Sequence, residues 1–313
     1  MLKRIWMPLA VSLAFIVLVA GSIRTSAIIR TSPLATIPQN VMTGEWTASL
    51  DKNDPGKIQL NLERRTDSGR RSQMGQTYDF AELQGLSREQ VLNGGAVKFS
   101  LVREAGRIDC EGSFQNGKGS GTFQFTGNQS FVAAMKSRGF DFEEDSSSGG
   151  RHSENRLFTA TALNITTALA DDLSSAGFGK LDVNDLIKAA IFKIDSKFMR
   201  EMKASGFGEM GMEELVKARI FKIDADFVKQ VSQMGFDKEP FESLVKMRIF
   251  KITPEFLAEV RNEGFTNISV EDAVKMRIFN IDAEFIRQAK AEGVPLEVEK
   301  LVQRRIGVAG KYK

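Results

Sequence analysis

The sequence predicts an α+β chain: a small antiparallel β-sandwich or partial barrel, followed by an α-solenoid of helical hairpins. Two patterns predict it. A phrase of 29 residues restarts at Lys193 (KIDSKF), Lys222 (KIDADF), Lys251 (KITPEF) and Asn280 (NIDAEF), with a weaker copy at Asn164 (NITTAL). A fixed period in this range marks stacked supersecondary units. Ahead of it, from Gly44, apolar and polar residues alternate as they do in half-buried strands.

Each repeat reads as two short helices. Asp195, Asp224, Thr253 and Asp282 stand where a side-chain oxygen can accept from the free N–H groups of a helix start. Pro254 follows Thr253 in the favoured first helical position. Ile194, Ile223, Ile252 and Ile281 precede these caps and lie at staple spacing from Met199, Val228, Leu257 and Ile286. The first helix stops at Gly177, Gly206, Gly235, Gly264 or Gly293, each able to take the left-handed conformation of a C′ residue. The residue after the glycine then meets one a turn and a half earlier, as in Phe178/Leu173, Phe207/Met202, Phe236/Val231 and Phe265/Val260.

A second helix follows, with Ser269 to Asp272 as a capping box and acids such as Glu213 and Glu214 in its first turn. Lys217/Arg219, Lys246/Arg248 and Lys275/Arg277 stand towards its end, so both charge signs suit the macrodipole. Helices of about ten residues are marginal alone in water. Three apolar columns are expected to be covered by neighbouring units: Phe198, Phe227, Phe256 and Phe285; Ile220, Ile249 and Ile278; Phe221, Phe250 and Phe279. Each buried Phe contributes roughly 1.5–3 kcal/mol, so stacking holds the array.

Residues 1–23 carry Lys3-Arg4 and then an apolar run from Ile5 to Gly21, the pattern of a secretory signal or an uncleaved membrane anchor. Either form predicts an exported chain, periplasmic or held at the inner membrane by this segment. Residues 24–43 read as a polar, Pro-containing linker. A single cysteine, Cys110, allows no internal disulfide and reads as a small core residue in a strand.

Residues 44–126 read as the β domain. Strands are expected over 45–50, 57–63, 96–103, 106–114 and 119–125, with hairpin turns at Glu104-Ala-Gly106 and Gln115-Asn116-Gly117 and a short helix starting at Ser87. Residues 127–308 read as six hairpins. The first is found because Asn128 to Phe140 matches Asp195 to Phe207 position by position; its second helix, from Leu157 to Leu163, follows a polar loop inserted at about 141–154. Gly293 to Ile306 is one residue short, as a capping unit is, and 309–313 form a basic tail.

No His-Glu-x-x-His, Gly-x-Ser-x-Gly, Walker or dinucleotide motif is present. His152 falls in the polar insertion, and the pairs Glu213-Glu214 and Asp171-Asp172 read as first-turn helix charges rather than an acid and a base. The sequence therefore points to no catalysis, no metal and no cofactor. From Asn164 onwards 24 Lys and Arg face 24 Asp and Glu, so a nucleic-acid partner is not expected.

GEWTA, GRIDCEGSF with GSGTFQF, and the tandem RIFKID phrase resemble a domain pair of bacterial, especially acidobacterial, envelope proteins. In that family the pair often follows the membrane metallopeptidase of beta-lactam-sensor type regulators. The likeness covers nearly all of 44–308, but the peptidase's membrane helices and His-Glu-x-x-His are missing. The resemblance implies an envelope-sensing or partner-binding setting and no peptidase activity.

The expected function is non-catalytic binding of a protein or peptide of the cell envelope, with the membrane touched only through the amino-terminal segment. Candidate contact residues are Arg200, Lys229, Arg261 and Arg287 on first helices, and the column Arg219, Arg248 and Arg277 on second helices. Two alternatives stand beside it: carbohydrate or small-ligand binding by the β domain, with Trp46 and Tyr78 stacking on a sugar, and a structural scaffold.

Overall fold

A computed structural model describes residues 42–65, 71–143, 151–177, 179–208 and 210–308, with only the backbone for Arg65 and 151–154. The readings of 1–23, most of the linker, the middle of the insertion and the basic tail lie outside these residues.

Seven strands form one antiparallel sheet: β1 (Met42–Leu50), β2 (Lys57–Arg65), β3 (Arg71–Asp79), β4 (Leu83–Gln84), β5 (Gly95–Arg103), β6 (Gly106–Gln115) and β7 (Lys118–Gly127). Their spatial order is β3-β2-β1-β7-β6-β5-β4, so the first and last strands pair at the centre. The two edges, β3 and β4, are joined directly by the turn Phe80–Glu82. That link reaches at most about 14 Å, whereas seven strands laid flat would part their edges by about 29 Å. The sheet has to curl, and it forms a half-barrel. Of the two expected architectures the partial barrel is the one formed.

The strand motifs follow from this curl. Trp46 pairs with Leu62 on one side and Gly121 on the other, and Gly121 pairs with Gly112. A Cβ on Gly112 would fall 2.7 Å from Cζ2 of the indole and 2.2 Å from the Ser120 carbonyl. Only glycine lets the indole lie across the strands, where its Nε1–H donates to the Glu111 carbonyl (3.2 Å). The turn at Asn116-Gly117 has positive φ at both residues (51° and 74°), as an Asn-Gly hairpin requires.

Three details differ from expectation and one, the helix start at Ser87, agrees with it. β1 begins at Met42, inside the expected linker. β3 and β4 were not predicted: β3 is a polar edge strand in which only Tyr78 is buried, so it has no apolar alternation to read. The helix α1 (Arg88–Asn93) does start after Ser87, whose hydroxyl accepts from Gln90 N–H. The second helix of the first hairpin, α3 (Arg151–Ala162), begins six residues before Leu157, so His152 belongs to a helix rather than to the loop.

The remaining helices are α2 (Gln129–Lys136), α4 (Thr167–Ser175), α5 (Val183–Phe192), α6 (Ser196–Met202), α7 (Met212–Ile220), α8 (Ala225–Gln233), α9 (Phe241–Ile249), α10 (Pro254–Asn262), α11 (Val270–Ile278), α12 (Ala283–Ala291) and α13 (Val298–Arg305). Alternate helices pack on each other: α2 on α4, α4 on α6 and α10 on α12; α5 on α7, α9 on α11 and α11 on α13.

Local geometry recurs with the sequence. Asp195, Asp224, Thr253 and Asp282 each accept from the N–H of Phe198, Phe227, Phe256 and Phe285 (2.8–3.3 Å). Gly177, Gly206, Gly235, Gly264 and Gly293 all have positive φ. Second helices end in a left-handed residue too, at Asn164, Lys193, Lys222, Lys251 and Asn280, where φ is 51–55°. There the next isoleucine N–H reaches back five residues, as from Ile252 to the Met247 carbonyl (2.9 Å), closing a Schellman turn.

The expected boundary between β domain and helices is not a break in packing, because residues 40–313 form one compact unit. Helix α3 packs on β5, β6 and β7. Its Phe158 stacks on Phe123 and meets Phe125 edge-on, both at 5.5 Å. Tyr78 Oη donates to the Ala162 carbonyl (3.0 Å), and the Glu104 carboxylate accepts from Thr167 N–H and Oγ (2.9 and 3.0 Å) at the start of α4.

Candidate interaction surface

Second helices present three rows to solvent. At about 100° per residue, positions i, i+4 and i+7 share a face, which sets Glu213, Lys217 and Ile220 together on α7. Glu242, Lys246 and Ile249 repeat the set on α9, and Glu271, Lys275 and Ile278 on α11. Each lysine pairs with the glutamate of the next helix in the row: Lys188–Glu213 (2.5 Å), Lys217–Glu242 (2.7 Å), Lys246–Glu271 (2.5 Å) and Lys275–Glu299 (3.3 Å). The acid and base rows therefore neutralise each other.

The isoleucine row is different. Ile191, Ile220, Ile249, Ile278 and Ile306 are 51, 46, 41, 49 and 55% exposed. Their expected burial under neighbouring units is not what the structure shows. Leu215, Val216 and Ala218 already fill the inner side of α7, and Ile220 falls with Glu213 and Lys217 on the outer one. Phe221, Phe250 and Phe279 are half-buried beside the row, while Phe198, Phe227, Phe256 and Phe285 are buried as expected.

Arg219, Arg248 and Arg277 reach back to the preceding helices, Arg219 and Arg277 half-buried and Arg248 exposed. Arg219 Nη2 donates to the Lys193 carbonyl (2.7 Å) and Arg248 Nη2 to the Lys222 carbonyl (2.7 Å). Arg277 gives Nε–H to Phe250 and Nη2–H to Lys251 (3.1 and 3.0 Å). Each guanidinium also lies over a ring: Phe198 at 3.7 Å, Phe227 at 3.6 Å and Phe256 at 4.6 Å. Burial pulls the Arg248 guanidinium below its ordinary range, against the opposing pull of Asp224. These three side chains are occupied within the chain, which gives a physical reason for their period that involves no partner.

Two of the first-helix candidates are engaged within the chain. Arg261 donates to the Met234 carbonyl (2.6 Å) and Arg287 pairs with Glu263 and Glu284 (3.0 and 2.8 Å). Arg200 and Lys229 are exposed. Asp171 and Asp172 lie in the middle of α4 rather than in its first turn. Asp171 pairs with Arg138 at 2.8 Å. Asp172 accepts from Ser196 N–H and Oγ (2.8 and 2.6 Å) at the start of α6, and these bonds hold its carboxyl below the usual range.

In the half-barrel, Trp46 and Tyr78 are both buried, so neither offers a ring face to a sugar. Burial pushes the Cys110 thiol up to about 12 and the Tyr78 hydroxyl above its ordinary value. A concavity of about 450 Å³ does open on the outer side of β4–β7. On its wall Arg107 bridges Asp109 (2.6 Å) and Ser100 (3.0 Å). Among the described residues no cluster of His, Cys, Asp and Glu could hold a metal, and no helix is long and apolar enough to cross a membrane.

Compared with family models, with curated proteins and with solved structures, the chain finds no match.

Proposed function

We propose that residues 127–308 are a six-unit α-solenoid of 29-residue hairpins that binds a protein or peptide without catalysis. We place it in the bacterial envelope, exported or anchored by residues 1–23, as the sequence resemblance implies. The carrying observation is the isoleucine row. Single exposed apolar residues are ordinary, but five at one structural position make a continuous feature. A stack of hairpins offers such a surface and needs no buried chemistry to use it. The repeating caps, left-handed ends and Lys–Glu ladder support the stacking.

The test is selection from a random peptide library on the full chain, repeated with Ile191, Ile220, Ile249 and Ile278 all changed to Ser. Binders that lose affinity for the folded variant support the reading. Binders that ignore the row, or none at all, count against it.

A further inference from the structure

The chemistry of the partner can be taken further, on the strength of the binding reading just given. We propose that the isoleucine row takes an extended, acidic peptide segment with an apolar side chain at about every third position.

The exposed part of the row is one side chain wide, with the half-buried Phe221, Phe250 and Phe279 beside it. On one side runs the neutralised Lys–Glu ladder; on the other are the corners where second helices end. Helices packed on each other, as α9 and α11 are, lie about 8–10 Å apart. In a β-strand every third side chain changes face, but a polyproline II segment, with three residues per turn and about 3.1 Å per residue, keeps them on one face. Every third side chain of such a segment therefore meets the next isoleucine. A docked helix would present an apolar stripe at least about 100° wide, and one flank of it would lie over the exposed Lys–Glu ladder.

Charge selects the acidic class. Lys193, Lys222 and Lys251 stand exposed at the corners, with no ion pair among the described residues. The first corner holds Lys193 and Arg219 with Asp195, and the second Lys222 and Arg248 with Asp224. The third holds Lys251 and Arg277 with Thr253, whose side chain is bonded to the Glu255 carboxylate, so each of these sets two cations beside one acid. Asp195 and Asp224 are engaged with helix N–H groups. One edge of the row is thus positive and the other neutral. A bilayer fits poorly, since it would have to cover the exposed Lys217–Glu242 and Lys246–Glu271 pairs together with the isoleucines. The chain's own segment 24–41 carries Arg24 and Arg30 and no acid, the wrong sign for this edge.

The probes are three labelled 15-residue peptides with Ile at every third position and Glu/Ser, Ser/Ser or Lys/Ser between, titrated against the full chain by fluorescence polarisation. The Glu/Ser peptide is expected to bind at least about tenfold tighter than the Lys/Ser peptide, with the advantage shrinking as salt rises. Ile220→Ser with Ile249→Ser, and separately Lys222→Glu with Lys251→Glu, each weaken it at least about tenfold, circular dichroism confirming that both variants fold. Equal binding of the three peptides overturns the inference, as does binding indifferent to either variant. So does Ile-dependent binding to phosphatidylglycerol vesicles, or Ile-dependent self-association in sedimentation, with no peptide bound. If the library yields row-dependent binders without acid enrichment, this inference fails while the binding reading stands; if nothing depends on the row, both fail.

Discussion

The guanidinium of Arg248 lies 3.6 Å from the centre of the Phe227 ring. The same group donates to the Lys222 carbonyl. One side chain on α9 thus clasps α8 and closes the left-handed corner that ends α7. Arg219 does the same with Phe198 and Lys193, and Arg277 with Phe256 and Lys251. A periodic cation that reads on paper as a binding stripe is here an inter-helix clasp.

Arg248→Ala removes a charge-assisted hydrogen bond and a ring contact together, and should cost about 2–3 kcal/mol. Arg248→Lys should recover less than half, because an ammonium cannot lie flat on the ring while donating sideways. Lys229→Ala, on the exposed side of α8, should stay within about 0.5 kcal/mol. Urea denaturation of the three variants measures this.

Phe227 and Ile249 look alike as apolar repeat positions but should respond differently. Phe227 is buried, so Phe227→Ala should cost about 3–5 kcal/mol. Ile249 is exposed, so Ile249→Ser should change stability by no more than about 0.5 kcal/mol. Equal losses in chemical denaturation would place Ile249 in the core and remove the surface row.

Gly235 has φ of 90°, with Arg261 Nη2 3.4 Å from where a Cβ would stand. Gly235→Val should destabilise by at least about 1–2 kcal/mol, since a β-branched residue resists this conformation. Gly235→Asn should be much milder. Melting temperatures of the pair decide it.

Asp172 ties α4 to the start of α6, and its carboxyl titrates below the ordinary value because Ser196 donates two hydrogen bonds to it. A depressed folded value adds stability above the unfolded value of about 4, and this is lost as pH falls through the folded value. By analogy with helix caps, and reduced for solvent screening, Asp172→Ala should cost about 0.5–1 kcal/mol at pH 7. Thermal melts at pH 7 and pH 3 should show the gap between parent and variant closing at the lower pH.

What could be read from the sequence follows physical simplicity. The caps at Asp195, Asp224, Thr253 and Asp282, the left-handed glycines and the Asn116-Gly117 turn depend on one or two residues each and take the expected geometry. The box expected at Ser269 to Asp272 forms only by half, the Asp272 carboxylate accepting from the Ser269 hydroxyl instead of its backbone N–H. The strand β3 was illegible because its neighbour β2 and the chain direction hold it, not an apolar face. Helix α3 inside the half-barrel was equally hidden, since Phe158 looks like any helix-core residue until Phe123 and Phe125 are seen beside it. The roles of Arg219 and Ile220 had a signal. On a helical wheel Arg219 falls with Met212 and Leu215 on the buried side, and Ile220 with Glu213 and Lys217 outside.

The most direct test of the stacked-repeat claim is to remove one whole unit, Lys222–Phe250, which rejoins Phe221 to Lys251 in register. Far-ultraviolet circular dichroism should show a helical chain that melts cooperatively, and small-angle scattering a largest dimension shorter by about 8–10 Å. Out-of-register removal of Lys222–Lys246 should leave a chain that does not fold. In-register excision that unfolds the protein, or equal tolerance of both deletions, would contradict a stack of equivalent 29-residue units.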